Sequence, residues 1–199
     1  NSWHQMGVIL AASDCVSWLC DVTGMAVDSL MKQMAQTNPA AIDLMFHPYL
    51  SGERTPHNDA EARGGFFGIA RHHGPGDMAR AVLQGVAFAI ADVTDVLKEA
   101  GAKPKRLMAT GGGTSNHEWL LYIASVTGIA IDLPANGDFG AAFGAARLAM
   151  LANGANIADV CHKPGIKLTI EPDASLAENL NLARDDWKQI YQLLKAQKS

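Results

Sequence analysis

Two stretches of this chain carry residue types from which a site is built. The first runs Leu107-Met108-Ala109-Thr110-Gly111-Gly112-Gly113-Thr114-Ser115-Asn116-His117-Glu118. It reads as an apolar strand, three glycines and a helix-start signature in succession. Glycines after a strand leave no Cβ between the backbone and a planar or anionic ligand. Free amides at a helix start offer donors to polar ligand atoms. A plain strand-to-helix turn uses the same residues, so the two readings start level. The dinucleotide fingerprint is excluded, because the glycines are contiguous and no Gly-x-Gly-x-x-Gly occurs. A P-loop is excluded too, because no Gly-Lys-Ser/Thr follows.

The second stretch is Tyr49-Leu50-Ser51-Gly52-Glu53-Arg54-Thr55-Pro56-His57-Asn58-Asp59, continuing through Arg63-Gly64 to Phe66-Phe67-Gly68. It lacks periodicity, and long irregular segments inside compact domains are often functional. Glu53 and Arg54 read either as an internal ion pair or as ligand-facing groups, the internal reading being favoured.

Other reactive types form no site. His47, His57, His72 and His73 lack a second pair at ligand spacing and are expected in loops or at the surface, so no metal is assigned. Cys15, Cys20 and Cys161 are odd in number with no Cys-x-x-Cys, which fits free, mostly buried thiols in a reducing cytoplasm. Trp3, Trp18, Trp119 and Trp187 read as core or interface anchors. Met25, Met31 and Met34 read as adaptable packing.

The elements around these stretches are legible from periodicity. A short strand is expected within Gln5–Leu10, then a helix through Cys15, Val16, Leu19 and Cys20 that stops at Gly24. A second helix fits Val27–Ala35 and breaks at Asn38-Pro39. Gly65–Ile69 reads as a strand. The clearest helix is capped by Asp77 and stopped by Gly101, with Met78, Ala81, Val82, Gly85, Val86, Ala89, Ile90, Val93 and Leu97 on one face. Gly85 inside it costs about 1 kcal/mol relative to Ala, which implies close approach of another backbone. Ser115 to Glu118 has the form of a capping box opening the next helix. Ile129–Leu133 is the following strand. An Ala- and Gly-rich helix spans Gly140–Ala152, and a last helix spans Ala174–Lys195 with Leu176, Leu180, Ala183, Trp187, Ile190 and Leu194 inward. Alternating helices and strands specify an α/β domain.

Composition narrows the function classes. A 199-residue chain that is 48% hydrophobic builds one sizeable core. A net charge of -4 with scattered basic residues argues against nucleic acid. Lys103, Lys105 and Arg106 read as a solvated loop before a strand. No apolar run reaches the roughly 18 residues of a membrane span.

The Leu50-to-Asn58 run, Gly64-x-Phe66-x-Gly68-Ile69, Asp77-Met78-x-x-Ala81-Val82-Leu83-Gln84, Gly111-Gly112-Gly113 with Asn116, and Gly140-Ala141-Ala142-Phe143-Gly144-Ala145-Ala146 together resemble the FGGY family of carbohydrate kinases. The opening Met6-Gly7-Val8 to Trp18 resembles the entry to that family's C-terminal lobe. The resemblance implies an actin-like ATPase (ribonuclease H-like) fold, a mixed sheet flanked by helices, with residues 1–199 forming the adenosine-binding C-terminal lobe. It implies ATP and Mg²⁺, and a ketopentose acceptor. Glycerol, gluconate, ribulose or fuculose are alternative acceptors, and a non-catalytic nucleotide-binding module is an alternative class. By the same resemblance Gly112 and Gly113 lie against adenine or ribose, Asn116 hydrogen-bonds the base and Gly111 sets the turn, while order along the chain puts the apolar face of the base near Ala142 and Phe143.

The family's Asp-x-Gly-Thr turn is not found, and Asp14, Asp59 and Asp138 lack the context of its general base. That Asp is expected upstream, in an N-terminal lobe absent from this chain, and the lobe alone is expected to turn over negligibly. The surface meeting that lobe is expected to favour a homodimer or sticky monomer.

Overall fold

The computed structural model describes residues 3–135 and 140–196. Asp138 lies outside the described residues. The chain order is α1 (Asp14–Thr23), α2 (Val27–Met34), β1 (Met45–His47), β2 (Gly65–Phe67), α3 (Pro75–Glu99), β3 (Arg106–Met108), α4 (His117–Thr127), β4 (Ala130–Pro134), α5 (Gly140–Ala152), α6 (Ile157–Val160), β5 (Ile166–Ile170) and α7 (Ala174–Ala196). Strands β1 and β2 form an antiparallel pair, with Phe46 opposite Phe66. Strands β3, β4 and β5 form a mixed sheet, parallel across β3–β4 and antiparallel across β4–β5.

Helix α3 is the axis of the core. The sequence predicts one apolar face, yet every residue from 79 to 89 is buried. Helices α1, α2, α4 and strand β1 all pack on it. Gly85 explains how β1 comes so near. A Cβ built there lies 2.0 Å from the Phe46 carbonyl oxygen, which is the close backbone approach that its position demands.

Helix ends differ from the expectation in detail. Asp77 is not the N-cap of α3. Gly74 holds that place, and Asp77, three residues on, accepts its N–H at 2.9 Å. Residues 5–10 form no strand. They run as a coil clasped to the second stretch, Val8 N–H donating to Thr55 Oγ1 and Thr55 N–H to the Val8 carbonyl. Arg106 opens β3 and pairs with Asp132 on β4, rather than standing in a solvated loop. The Arg106 guanidinium and the Thr169 hydroxyl hold the Asp132 carboxyl at about 2.

Helix α7 closes the core. Trp187 is fully buried, donates its indole N–H to the Phe46 carbonyl at 2.8 Å and stacks on His47 with ring centroids 4.5 Å apart. Arg184 of α7 bonds Asp92 and Asp95 of α3, and Lys188 joins Asp92 at 3.3 Å. Arg184 and Tyr191 are buried where the sequence predicts Ile190 and Leu194, which are only half-buried.

His47 corrects the expectation of loop or surface histidines. It sits in β1 with no exposed surface. Burial pushes its pKa down from 6.5 to about 4. The folded state therefore prefers the neutral ring, and this contribution is whole above pH 6.5 and fades as pH falls toward 4. Between pH 7 and 4.5 the loss amounts to about 2 kcal/mol. His47→Phe keeps the stack and removes the titration. Denaturant midpoints at both pH values are expected to differ less for His47→Phe than for the parent by that amount; equal differences would remove His47 from the account.

Candidate nucleotide site

The glycine turn lies where two strands end side by side. Parallel β3 and β4 deliver Ala109 and Pro134 to the same edge, and β5 returns antiparallel beside them. Gly111 has φ +99, a backbone state that L side chains rarely adopt. The chain then makes a single 3₁₀ turn over Gly112–Ser115 before α4. Thr114 Oγ1 donates to the Gly111 carbonyl at 2.7 Å and Ser115 Oγ to the Gly112 carbonyl at 2.9 Å, so both hydroxyls stiffen the turn.

A cleft of about 510 Å³ opens beside this turn, lined by Gly111, Gly112, Thr114, Ser115, His117 and Lys167 among others. The three glycines divide in role. A Cβ on Gly112 meets nothing within 4 Å, so its bare backbone faces open space. A Cβ on Gly113 would lie 2.5 Å from the Trp119 ring. Gly113 thus seats the turn on the core and is not part of the cleft's described lining.

Asn116, rather than Ser115, caps α4. Its Oδ1 accepts the Trp119 N–H at 3.0 Å, and its Nδ2 lies 3.2 Å from Met31 Sδ. An amide oxygen has a second lone pair, so capping leaves acceptor capacity. Asn116, Ala142 and Phe143 are not in the described lining of the cleft. Phe143 is covered by Arg147, whose guanidinium carbon stands 4.2 Å above its ring. Lys167 and Leu168 form a wall that the sequence reading missed. The signal was Ile166-Lys167-Leu168-Thr169-Ile170 between Gly165 and Pro172, a strand pattern with turn residues on both sides.

Among the described residues, Glu53 and Arg54 form no ion pair with each other. Glu53 is buried and its Oε1 accepts the Arg54 backbone N–H at 2.6 Å, while the Arg54 side chain is exposed. Burial raises the Glu53 pKa, against hydrogen bonds from backbone amides.

The C-terminal domain of the FGGY family of carbohydrate kinases matches residues 1–153. The chain belongs to that family. It is 39% identical to the xylulose kinase of Escherichia coli (strain K12) over 195 residues, covering 96% of this chain and 40% of that protein. It is 42% identical to the xylulose kinase of Klebsiella pneumoniae over 165 residues, covering 82% and 33%. Among solved structures it resembles a xyloylose kinase from Brucella ovis with a TM-score of 0.88 at 42% identity, covering 98% of this chain and 40% of that one. The Rhodospirillum rubrum xylulose kinase gives 0.79 at 30%, covering 96% and 39%. The chain therefore spans between a third and two-fifths of the length of these proteins. Its α/β architecture, a mixed sheet flanked by helices, is that of the FGGY sugar kinases, and the family's use of ATP agrees with the sequence expectation. Among the described residues, no helix is long and apolar enough to cross a membrane.

Asp43, His72 and His73 bring ligand atoms within 4.8 Å of one another. They do not fit Mg²⁺, which takes oxygen ligands. His73 Nδ1 accepts the Ala70 N–H at 2.9 Å, so its Nε2 carries the proton and donates to Asp43 at 3.1 Å. Both ring nitrogens are spent, and the trio reads as a clasp between loops.

Proposed function

We propose that residues 1–199 are the adenosine-holding C-terminal lobe of a cytoplasmic kinase that transfers the ATP γ-phosphate to D-xylulose. The observation that carries this reading is the Cβ-free cleft beside Gly111 and Gly112 in a chain whose xylulose kinase likeness extends over nearly all its length. Gly112 offers bare backbone to the planar base or ribose, and Gly111 bends the chain to present it. Gly113 supports the turn through Trp119. Asn116 holds the first turn of α4 and has one lone pair left for the base.

Phosphoryl transfer needs in-line positioning, a base for the acceptor hydroxyl and neutralisation of charge on the moving group. Bound Mg²⁺ supplies the last of these. The lobe's own contribution is to fix the adenosine end, so that the γ-phosphate points at a sugar held by residues upstream. The base, an Asp, lies upstream as well, and this lobe alone is proposed to have negligible turnover and to self-associate through the face it offers the other lobe.

Gly112→Val tests the reading without disturbing the fold, since its Cβ has free space. In the full-length kinase, assayed by ADP release with D-xylulose, the KM for ATP is expected to rise about tenfold or more, with the sugar KM unchanged. An unchanged ATP KM removes the glycine turn from the nucleotide site. Faster turnover with glycerol or gluconate than with D-xylulose reassigns the acceptor.

A further inference from the structure

The cleft at the glycine turn owes one wall to an irregularity in the sheet. Strands β4 and β5 pair Asp132 with Thr169 and Leu133 with Leu168, and then Pro134 with Ile166. Lys167 is thus the extra residue of a β-bulge, with nothing opposite it. The cause lies in β4, because Pro134 brings no N–H to the ladder. The bulge changes where Lys167 points. Successive side chains of a regular strand stand on opposite faces, so Leu168 in the cleft wall would send Lys167 away from it. Here both line the cleft.

The ammonium brought there is exposed and unspent. Among the described residues Lys167 has no hydrogen bond or ion pair. The described lining holds no carboxylate, and Thr114 and Ser115 turn their hydroxyl protons to the Gly111 and Gly112 carbonyls. An ammonium only donates, so a bound ligand with acceptors on that side gains a charge-assisted hydrogen bond. Ala109, Leu133, Pro134 and Leu168 give the same cleft an apolar wall, suited to a flat base.

We propose that Lys167 contacts the nucleotide, donating to an acceptor on its adenosine half, either a purine ring nitrogen or a ribose oxygen. The inference rests on the reading of this cleft as the adenosine site. In that reading the phosphates leave the cleft toward the sugar, so the group that meets Lys167 belongs to the nucleoside. Gly111 and Gly112 present backbone alone, and Lys167 adds the charged donor from the opposite side of the chain's connectivity, on a strand that the bulge has re-aimed.

The test uses adenosine as a competitive inhibitor against ATP in the full-length kinase. Adenosine carries no phosphate, so it separates a contact with the nucleoside from long-range attraction between Lys167 and the triphosphate. Lys167→Met keeps the stem and removes the charge. It is expected to raise the adenosine inhibition constant and the KM for ATP by the same factor, about tenfold. Lys163→Met, at an exposed lysine outside the described lining, is expected to change neither. Among 1-deaza-, 3-deaza-, 7-deaza-, 2′-deoxy- and 3′-deoxyadenosine, the analogue that lacks the contacted atom is expected to inhibit the parent and Lys167→Met alike. An unchanged adenosine inhibition constant, a rise for ATP alone, or analogues that all stay as sensitive to Lys167→Met as adenosine each overturn the proposal. If Gly112→Val weakens adenosine and Lys167→Met does not, the cleft still holds the nucleotide and only Lys167 leaves the site. Adenosine indifferent to both substitutions removes the cleft reading as well.

Discussion

Gly85→Ala is expected to destabilise the protein by about 3 kcal/mol or more, although helix propensity alone predicts a gain of about 1 kcal/mol from the same change. The two effects have opposite signs, which makes the measurement decisive. The added methyl would stand 2.0 Å from the Phe46 carbonyl oxygen and 3.0 Å from its carbon. These are backbone atoms of β1, so no rotamer change relieves the clash. Either β1 moves off α3 or the helix bends. Overpacking of a tight core usually costs about 1–3 kcal/mol, and more where the obstacle is rigid. Moving β1 also strains the Trp187-to-Phe46 hydrogen bond and the Phe46–Phe66 contact, whose centroids lie 4.6 Å apart. A denaturant midpoint at or above that of the parent would show that β1 gives way freely, and would undo the claim that Gly85 exists to admit it.

The fate of Gly85 shows what kind of fact the sequence carries. One glycine inside a strong apolar periodicity is a cost that needs a reason, and the reason was the one inferred. Helices α1 to α5 and α7 were likewise legible, because their patterns run for eight residues or more, and α1, α3, α4 and α5 stop at Gly24, Gly101, Gly128 and Gly154. The segment at residues 5–10 misled because a short apolar run is the same for a strand and for a coil clasped by neighbours. His47 misled for a different reason. Its burial depends on Trp187, 140 positions away, and no local pattern reports a stacking partner at that separation. The glycine turn was legible as a turn, but the cleft was only half visible. Gly111 and Gly112 announce it, while Lys167 arrives from β5 through an antiparallel return that the α/β alternation does not suggest. Asn116 was legible as a polar group at a helix start; that Oδ1 would be used as the cap itself was not, because Ser115 satisfied the capping pattern equally well.

Trp187→Ala is expected to cost about 5 kcal/mol, the largest single-site loss among these changes. Two independent terms add. Emptying a fully buried indole site costs about 3–5 kcal/mol. Removing its N–H also leaves the Phe46 carbonyl without this donor, and an unmet buried acceptor costs about 1–3 kcal/mol. Trp187→Phe separates the terms, because it keeps most of the packing against His47, Tyr49 and Phe88 and deletes the N–H. It is expected to lose about 2 kcal/mol. Water entering the space left by the Ala variant would also rehydrate His47, raise its depressed pKa and flatten the stability loss between pH 7 and 4.5. The prediction reaches beyond one side chain. The family match covers residues 1–153, whereas Trp187 sits on α7, and Arg184 of the same helix is bound to Asp92 in the core helix. Residues outside the matched domain therefore complete its core. A loss below about 2 kcal/mol for Trp187→Ala in urea unfolding would mean that α7 is an appendage, and that the lobe's core ends where the family match does.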